Sequence, residues 1–384
     1  MKTLFTTDYK NYNPQWPSSS RPSARAVILI QGEVVEEGFG NSSNVILHPQ
    51  DKIALVYAKN LGYYKFPGGG INEGEDNVTA LIREVEEETG LEVIKESVKE
   101  YGVARRTMES GLYKETIFIQ ESLHYFCRVR TNDDGTLYIK KQHLDQYEKE
   151  EGFELKVVSI SQAIETNIHF KTDDIKQLDM INRENLVMSK MCGLPELLPR
   201  AFAQNLLEKG VSKNPGPWRD HSYAVAQAAE KIARNTKTLN PDFAYVCGLL
   251  HDIGRQEGYT YMAHVYDGYH YLKNLGYELI PRVCLTHSFN LKTIDDYIGK
   301  VDVTQEQYEE LKTLLANIEY DDYDRLIQLL DSCCGADGTR DLEKRMSDVK
   351  ARYGYYPQAK WDKNFELKEY FEKMMGKPLY EVIA

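Results

Sequence analysis

The hydrophobic pattern changes period near the middle of the chain, and that change limits the folds open to it. From Arg25 the sequence reads as short β-branched or aliphatic runs, Ala26–Ile30, Val45–Leu47 and Lys52–Tyr57, broken by Gly, Asn and Pro. A helical stretch follows at 77–89, then strand-like text at Val93–Val103, Thr116–Val129 and Phe153–Val158. Strands around a helix imply an α/β or α+β domain. After about residue 197 the period is helical: Ala224, Val225, Ala228, Ala229, Ile232 and Ala233 recur at three- and four-residue spacing. Strand signals nearly vanish from there, so the second half reads as all-α.

At roughly 100–200 residues per domain, 384 residues accommodate two domains. The expected division is an extended Asn-, Pro- and Ser-rich arm at 1–24, an α+β domain at 25–172, a connection at 173–200 with a helix at 173–190, and an all-α domain at 201–384. Hydrophobic residues at 42% and charged residues at 28% fit an ordinary globular protein and exclude low-complexity classes. A membrane helix needs about 20 apolar residues, and the longest aliphatic runs are far shorter. The N-terminus turns polar too early for a signal peptide, so a cytoplasmic location is expected. The six cysteines (127, 192, 247, 284, 333, 334) form no CxxC pair, and free thiols in a reducing compartment are expected rather than a zinc-thiolate site.

The net charge of −12 is spread evenly. Residues 1–200 hold 24 basic and 31 acidic side chains, and 201–384 hold 23 and 28. No block is basic, which argues against a dedicated nucleic-acid grip. It leaves small phosphates open, because a metal ion meets a phosphate as well as arginine does. A homo-oligomer is compatible with this composition.

The stretch 68–91 carries the first chemical signal. Val78, Leu81, Ile82 and Val85 recur at i, i+3, i+4 and i+7, so one helix face is buried. Glu84, Glu87 and Glu88 share a neighbouring stripe. Three carboxylates on one stripe repel one another but suit a hard cation. The glycines at 68–70 permit a tight turn and close approach of backbone to a ligand. An acidic helix run is ordinarily a solvated face. Here the whole pattern resembles the Nudix box, G-x5-E-x7-R-E-U-x-E-E-x-G-U, with U bulky and aliphatic. Gly69, Glu75, Arg83, Glu84, Val85, Glu87, Glu88, Gly90 and Leu91 match it without departure. A chance match is on the order of one in ten million per chain at average residue usage, which sets the solvated-face reading aside.

The resemblance implies a Nudix hydrolase domain, an α/β/α sandwich with a mixed sheet, that hydrolyses a nucleoside diphosphate linked to another group. It implies Mg²⁺ or Mn²⁺ held by Glu84, Glu87 and Glu88, with Arg83 orienting the carboxylates and Glu75 as a water-mediated ligand. Gly69 and Gly70 would approach the substrate. Glu115 and Glu121 are candidates for the general base. Tyr63, Tyr64 and Phe66, just before the glycines, are candidates either for base stacking or for core.

The second signal lies in the helical half, where five of the nine histidines fall within 221–287. His221 is four residues before Val225 and faces inward with it. The apolar run Phe243–Leu250 leads into His251-Asp252-Ile253-Gly254, and Asp331 sits four residues after Ile327 on another inward stripe. Burying two imidazoles and two carboxylates unpaired is costly, and a shared metal satisfies all four. A His-Asp pair alone is common by chance. The order His, HDIG, late Asp resembles the HD-domain metal-dependent phosphohydrolases, over about 210–340. Carried over, His221, His251, Asp252 and Asp331 would bind a divalent transition metal (Mn, Fe, Ni, Co or Zn), and Asp252 would belong to the catalytic set. His264 and His287 would bind a second ion in the variant with two, with His270 behind them. Arg255 could contact a substrate phosphate. The GYP and HDxxED signatures are missing, which demotes cyclic-di-GMP and alarmone substrates.

The leading reading is therefore a two-domain phosphohydrolase acting on a small nucleotide. A nucleotide-sensing regulator, in which one domain binds without turnover and controls the other, is the alternative, although the intact box favours catalysis. An enzyme that processes RNA ends fits the chemistry but lacks a basic segment.

Overall fold

The computed structural model describes residues 1–31, 35–37 and 44–384. The chain divides into two compact units, Met1–Ala201 with Asn274–Gly276, and Phe202–Lys273 with Tyr277–Ala384. Among the described residues no helix is long and apolar enough to cross a membrane.

The first unit is built on β1 (Thr3–Asp8), β2 (Ser18–Gln31), β3 (Val35–Glu37), β4 (Asn44–Ile46), β5 (Lys52–Ala58), β6 (Tyr63–Lys65), α1 (Asn77–Thr89), β7 (Lys99–Glu109), β8 (Ile117–Cys127), α2 (Gln146–Glu151), β9 (Phe153–Ser159), α3 (Ile160–Ile168) and α4 (Ile175–Met191). Among the described residues a seven-stranded mixed sheet runs β1-β7-β8-β2-β5-β6, with β9 also paired to β5. β1 is parallel to β7 and β2 to β8, while the other neighbours are antiparallel. This is the α/β architecture with a mixed sheet that the sequence implies. Residues 1–24, read as an extended arm, supply β1 and the first half of β2. Ser18–Ala24 has poor strand propensity, with Pro22 inside it, but parallel pairing to Ile117–Leu123 of β8 holds it in the sheet. On the far side of the same stretch the glycine loop docks like an added strand: Ala24 N–H donates to Gly69 O at 3.0 Å, Ala26 N–H to Pro67 O at 2.8 Å, and Ile71 N–H to Pro22 O at 3.2 Å.

α1 begins where Asp76 accepts from the N–H groups of Val78 and Thr79, and ends at Gly90 in the left-handed conformation. Its Ala80, Leu81 and Val85 pack on Ala24, Ala26 and Ile28 of β2, the alternate residues that share one face. Loop and helix are thus both anchored to one strand. The stacking reading fails for Tyr64 and Phe66, which are buried in the core. Phe66 lies edge-on to His124, with ring centroids 5.7 Å apart, and Tyr63 edge-on to Phe170 at 5.4 Å.

The second unit is helical: α5 (Arg200–Lys213), α6 (Trp218–Arg234), α7 (Pro241–Leu250), α8 (Ala263–Asn274), α9 (Ile280–Thr286), α10 (Gln305–Asn317), α11 (Asp322–Asp331), α12 (Leu342–Tyr353), α13 (Gln358–Met375) and α14 (Leu379–Ile383), with a small hairpin of β10 (Cys334–Gly335) and β11 (Gly338–Thr339). α7 starts on an Asn240 cap followed by Pro241 and is buried over its apolar length. It packs on α6 and α9, and α11 packs on α6, α7 and α9. The histidines and aspartates singled out from the sequence lie at or near the ends of these packed helices.

Candidate functional site

In the first unit, Arg83 organises the exposed side of α1. Its guanidinium makes a two-pronged contact with Glu75, both bonds 2.9 Å, and donates to Glu84 Oε1 at 2.7 Å, Glu87 Oε2 at 3.1 Å and Gly70 O at 3.0 Å. The fork geometry of arginine is what lets one side chain serve several acceptors. Gly69 lies against Glu84: a Cβ there would fall 2.2 Å from its carboxylate oxygen, so a larger residue would push that carboxylate aside. Hydrogen bonds from Arg83 and from Asn72 N–H draw the Glu75 carboxyl from 4.5 down to about 2.

That depression gives a pH prediction. A carboxyl with a lowered folded pKa adds stability that is complete above its ordinary pKa and is lost as pH falls through the folded one. Glu75→Gln is therefore expected to flatten the pH dependence of this unit's unfolding between pH 4.5 and about 2. Acid titration of wild type and variant reads this directly, and parallel curves would count against it.

Glu88 stands apart from its two neighbours. Lys65 Nζ reaches Glu88 Oε1 at 2.7 Å, and Gly68 N–H donates to Oε2 at 2.9 Å. Both side chains are almost wholly buried. The carboxylate stripe read from helical spacing is thus divided: Glu84 and Glu87 face Arg83, while Glu88 ties the glycine loop to α1. Beside them opens a cleft of about 720 Å³, bordered by Arg21, Arg25, Gly69, Gly70, Glu84 and Glu87 among others. Glu115 and Glu121 do not border it. Glu121 instead bonds Arg105 at 3.0 Å. Glu148 does border the cleft. Burial raises its carboxyl, against hydrogen bonds from Asp145 N–H at 2.7 Å and Tyr147 OH at 3.0 Å. The sequence signal for Glu148 was only a capping box with Asp145, which turns the side chain back toward the start of α2.

In the second unit six side chains converge. His221 is on the first turn of α6, His251 and Asp252 follow α7, His264 is on the first turn of α8, His287 follows α9 and Asp331 ends α11. His221 Nε2 lies 3.0 Å from Asp331 Oδ1 and 3.2 Å from His251 Nε2. His251 Nε2 lies 3.9 Å from Asp252 Oδ2. On the other side of the same carboxylate, Oδ1 is 3.1 Å from His264 Nε2 and 3.6 Å from His287 Nε2, and those two nitrogens are 3.2 Å apart. Two groups with ligand atoms close enough for one ion each, His221-His251-Asp252 and Asp252-His264-His287, share Asp252.

The hydrogen bonds at the far side of three rings decide what the facing nitrogens are. Nδ1 of His251 lies 2.7 Å from Gly248 O, that of His287 lies 2.8 Å from Cys284 O, and that of His264 contacts Tyr261 O. A carbonyl only accepts, so each of these Nδ1 atoms carries a proton and each ring turns its Nε2 inward. Burial holds His287 neutral, with its pKa lowered to about 3. Nε2 atoms facing each other at 3.2 Å need a proton or a metal ion between them. Asp252 Oδ1, fully buried, finds no hydrogen bond of acceptable geometry. Burial would raise Asp252, but Arg255, His251 and His264 hold its carboxyl well below the usual range. The cluster could hold metal ions with its ring orientations already fixed.

Gly254 fixes one edge of the cluster. A Cβ there would fall 2.0 Å from His264 O, so glycine is what allows α8 to bring His264 against Asp252. Arg255, a candidate for substrate contact, pairs with Asp252 at 2.6 Å. His270 lies outside the cluster and pairs with Glu310 at 3.1 Å.

Comparison with known proteins bears on both sites. The model of the NUDIX domain family matches residues 40–178, and that of the HD domain family matches residues 218–335. The chain is a Nudix domain followed by an HD domain. The carboxylate helix with its glycine loop falls within the Nudix match, and His221 through Asp331 within the HD match. Both are families of hydrolases that depend on divalent metals. Among curated proteins the chain is similar to the uncharacterized Nudix hydrolase YvcI of Bacillus subtilis (strain 168), 35% identical over 57 residues. That match spans 15% of this chain and 36% of YvcI, so about a third of the relative's length is covered. Among solved structures it is similar to a protein assigned to the nudix hydrolase family from Chromobacterium violaceum (21% identity, 38% of this chain and 67% of that one, TM-score 0.20). It is also similar to the ORF135 protein of E. coli (21% identity, 39% and 80%, TM-score 0.22). At those TM-scores neither structure bears on the fold.

Proposed function

We propose that the chain is a metal-dependent phosphohydrolase with two separate sites. The Nudix domain hydrolyses a nucleoside diphosphate linked to another group, and the HD domain hydrolyses a phosphoester. Residues 25–172 form the body of the first and 201–384 that of the second. The observation that carries the reading is the buried cluster in which four imidazoles turn toward two carboxylates around a shared Asp252.

In the HD domain His221, His251, Asp252 and Asp331 would hold one divalent ion, and Asp252, His264 and His287 a second. Bound divalent ions supply Lewis-acid charge at a phosphoryl group and acidify water. The chain itself contributes ring orientation through the Nδ1 contacts and a fixed place for Asp252 through Arg255. In the Nudix domain Glu84 and Glu87 would hold Mg²⁺ or Mn²⁺. Arg83 keeps the two carboxylates together, and Glu75 anchors Arg83. Glu88 acts through position, joining loop to helix. Gly69 and Gly70 leave room for the diphosphate, and the raised carboxyl of Glu148 suits proton transfer at the cleft.

The test is a hydrolysis screen of nucleoside diphosphate derivatives and phosphomonoesters with Mg²⁺ or Mn²⁺, comparing wild type, Glu87→Gln and Asp252→Ala. Glu87→Gln is expected to remove anhydride cleavage alone, and Asp252→Ala ester cleavage alone. If neither change alters any hydrolysis, the assignment is wrong for both domains.

A further inference from the structure

Two cavities adjoin the imidazole–carboxylate cluster of the HD domain, of about 170 and 430 Å³. Arg255, Asp331, Arg345 and Arg352 border both. Arg345 and Arg352 are seven residues apart on α12, two helical turns, so they share a face. Val349, four after Arg345, completes the stripe and borders the smaller cavity. The helix that carries them is well closed, with Asp341 accepting from Lys344 N–H at its start and Gly354 left-handed at its end.

What separates these two arginines from their neighbours is the lack of an internal anion. Arg255 is paired with Asp252, and Arg340, which borders the larger cavity, is paired with Asp337 at 2.8 Å. Among the described residues no carboxylate lies within ion-pair reach of Arg345 or Arg352. Arg345 has a long contact, 3.4 Å, to Cys334 O, and it acts on the Asp337 carboxylate from beyond ion-pair distance. In a chain of net charge −12, two guanidiniums with no ion-pair partner beside this cluster are open to an external anion. Guanidinium forks match phosphate oxygens, and the charge stays on at any working pH. On the HD reading, the phosphoryl group that is hydrolysed lies at the cluster. The pair on α12 therefore serves phosphoryl groups farther along the substrate.

We propose that Arg345 and Arg352 make the HD site selective for nucleotides that carry further phosphoryl groups beside the one hydrolysed. This rests on the HD reading above for the position of the reacting group, whereas the phosphate count is read separately, by binding. The experiment is equilibrium titration of the full chain, in a chelator and without metal, with AMP, ADP and ATP. Wild type is expected to bind about tenfold more tightly for each added phosphoryl group, the step one charge-assisted hydrogen bond typically provides. In R345A/R352A the steps should fall below about threefold by the same reasoning, and R345K/R352K should recover part of them. If the double variant melts early, R352A alone, at an exposed position, is expected to lose a large part of the ADP-to-ATP step. Equal affinity for the three nucleotides in wild type, or an unchanged series in R345A/R352A, overturns the proposal. Failure of the HD reading itself shows elsewhere, as ester hydrolysis that does not depend on Asp252.

Discussion

Asp252→Ala is expected to empty both metal positions at once. Its two oxygens face different imidazole pairs, Oδ2 toward His251 and Oδ1 toward His264 and His287. Losing it removes a ligand from each side. It also frees Arg255, whose 2.6 Å partner it is, to place a positive charge where cations are to bind. Elemental analysis of protein reconstituted with Mn²⁺ should find about two ions fewer per chain in the variant than in wild type at the same free metal, manganese at the Nudix carboxylates being common to both. Removing a metal-site group typically costs 10–100-fold in affinity at least, and here two sites share one group. His264→Ala is the control, expected to keep the ion on the His221 side. If Asp252→Ala loses no more than one ion relative to wild type, the shared carboxylate does not bridge the two halves.

Lys65→Met is expected to be the most damaging single change to the stability of the Nudix domain. Lys65 and Glu88 are almost wholly buried and 2.7 Å apart, and Lys65 Nζ also lies 4.5 Å from the centre of the Phe153 ring. Removing one member of a buried ion pair leaves the other charge uncompensated and costs about 3–5 kcal/mol. Replacing both, as Lys65→Met/Glu88→Gln, should recover more than half of that loss, because no buried charge remains. Urea unfolding of wild type and the two variants measures this. A single variant within about 0.5 kcal/mol of wild type would contradict the account, since that is the scale of an ordinary surface change.

The contrast between Glu88 and its neighbours shows how far the sequence carries. Helical spacing placed Glu84, Glu87 and Glu88 on one stripe, and the stripe exists. The division of labour within it depends on Lys65 and Gly68, some twenty residues earlier, which reach Glu88 only after the glycine loop has docked on β2. Periodicity contains no information about that. The residues that converge in the second unit were legible because an imidazole or carboxylate on an inward helical stripe is conspicuous on a face otherwise apolar. Arg345 and Arg352 were not, because arginines on a polar helix look like any solvated surface until α12 is packed beside the cluster. Ser18–Ala24 was missed as strand for a related reason: its residues disfavour the strand, and its partner β8 lies about 100 residues away. Glu148 was hidden in an ordinary polar helix, where only its capping role turns it inward.

Anomalous diffraction from crystals grown with Mn²⁺ tests the central claim most directly, namely that the six converging side chains of the HD domain form one two-ion centre. The account predicts two manganese peaks in that domain, one within bonding distance of His221, His251 and Asp331, the other of His264 and His287, with an Asp252 oxygen on each. A single peak, or none at Asp252 while manganese is bound elsewhere, would contradict it.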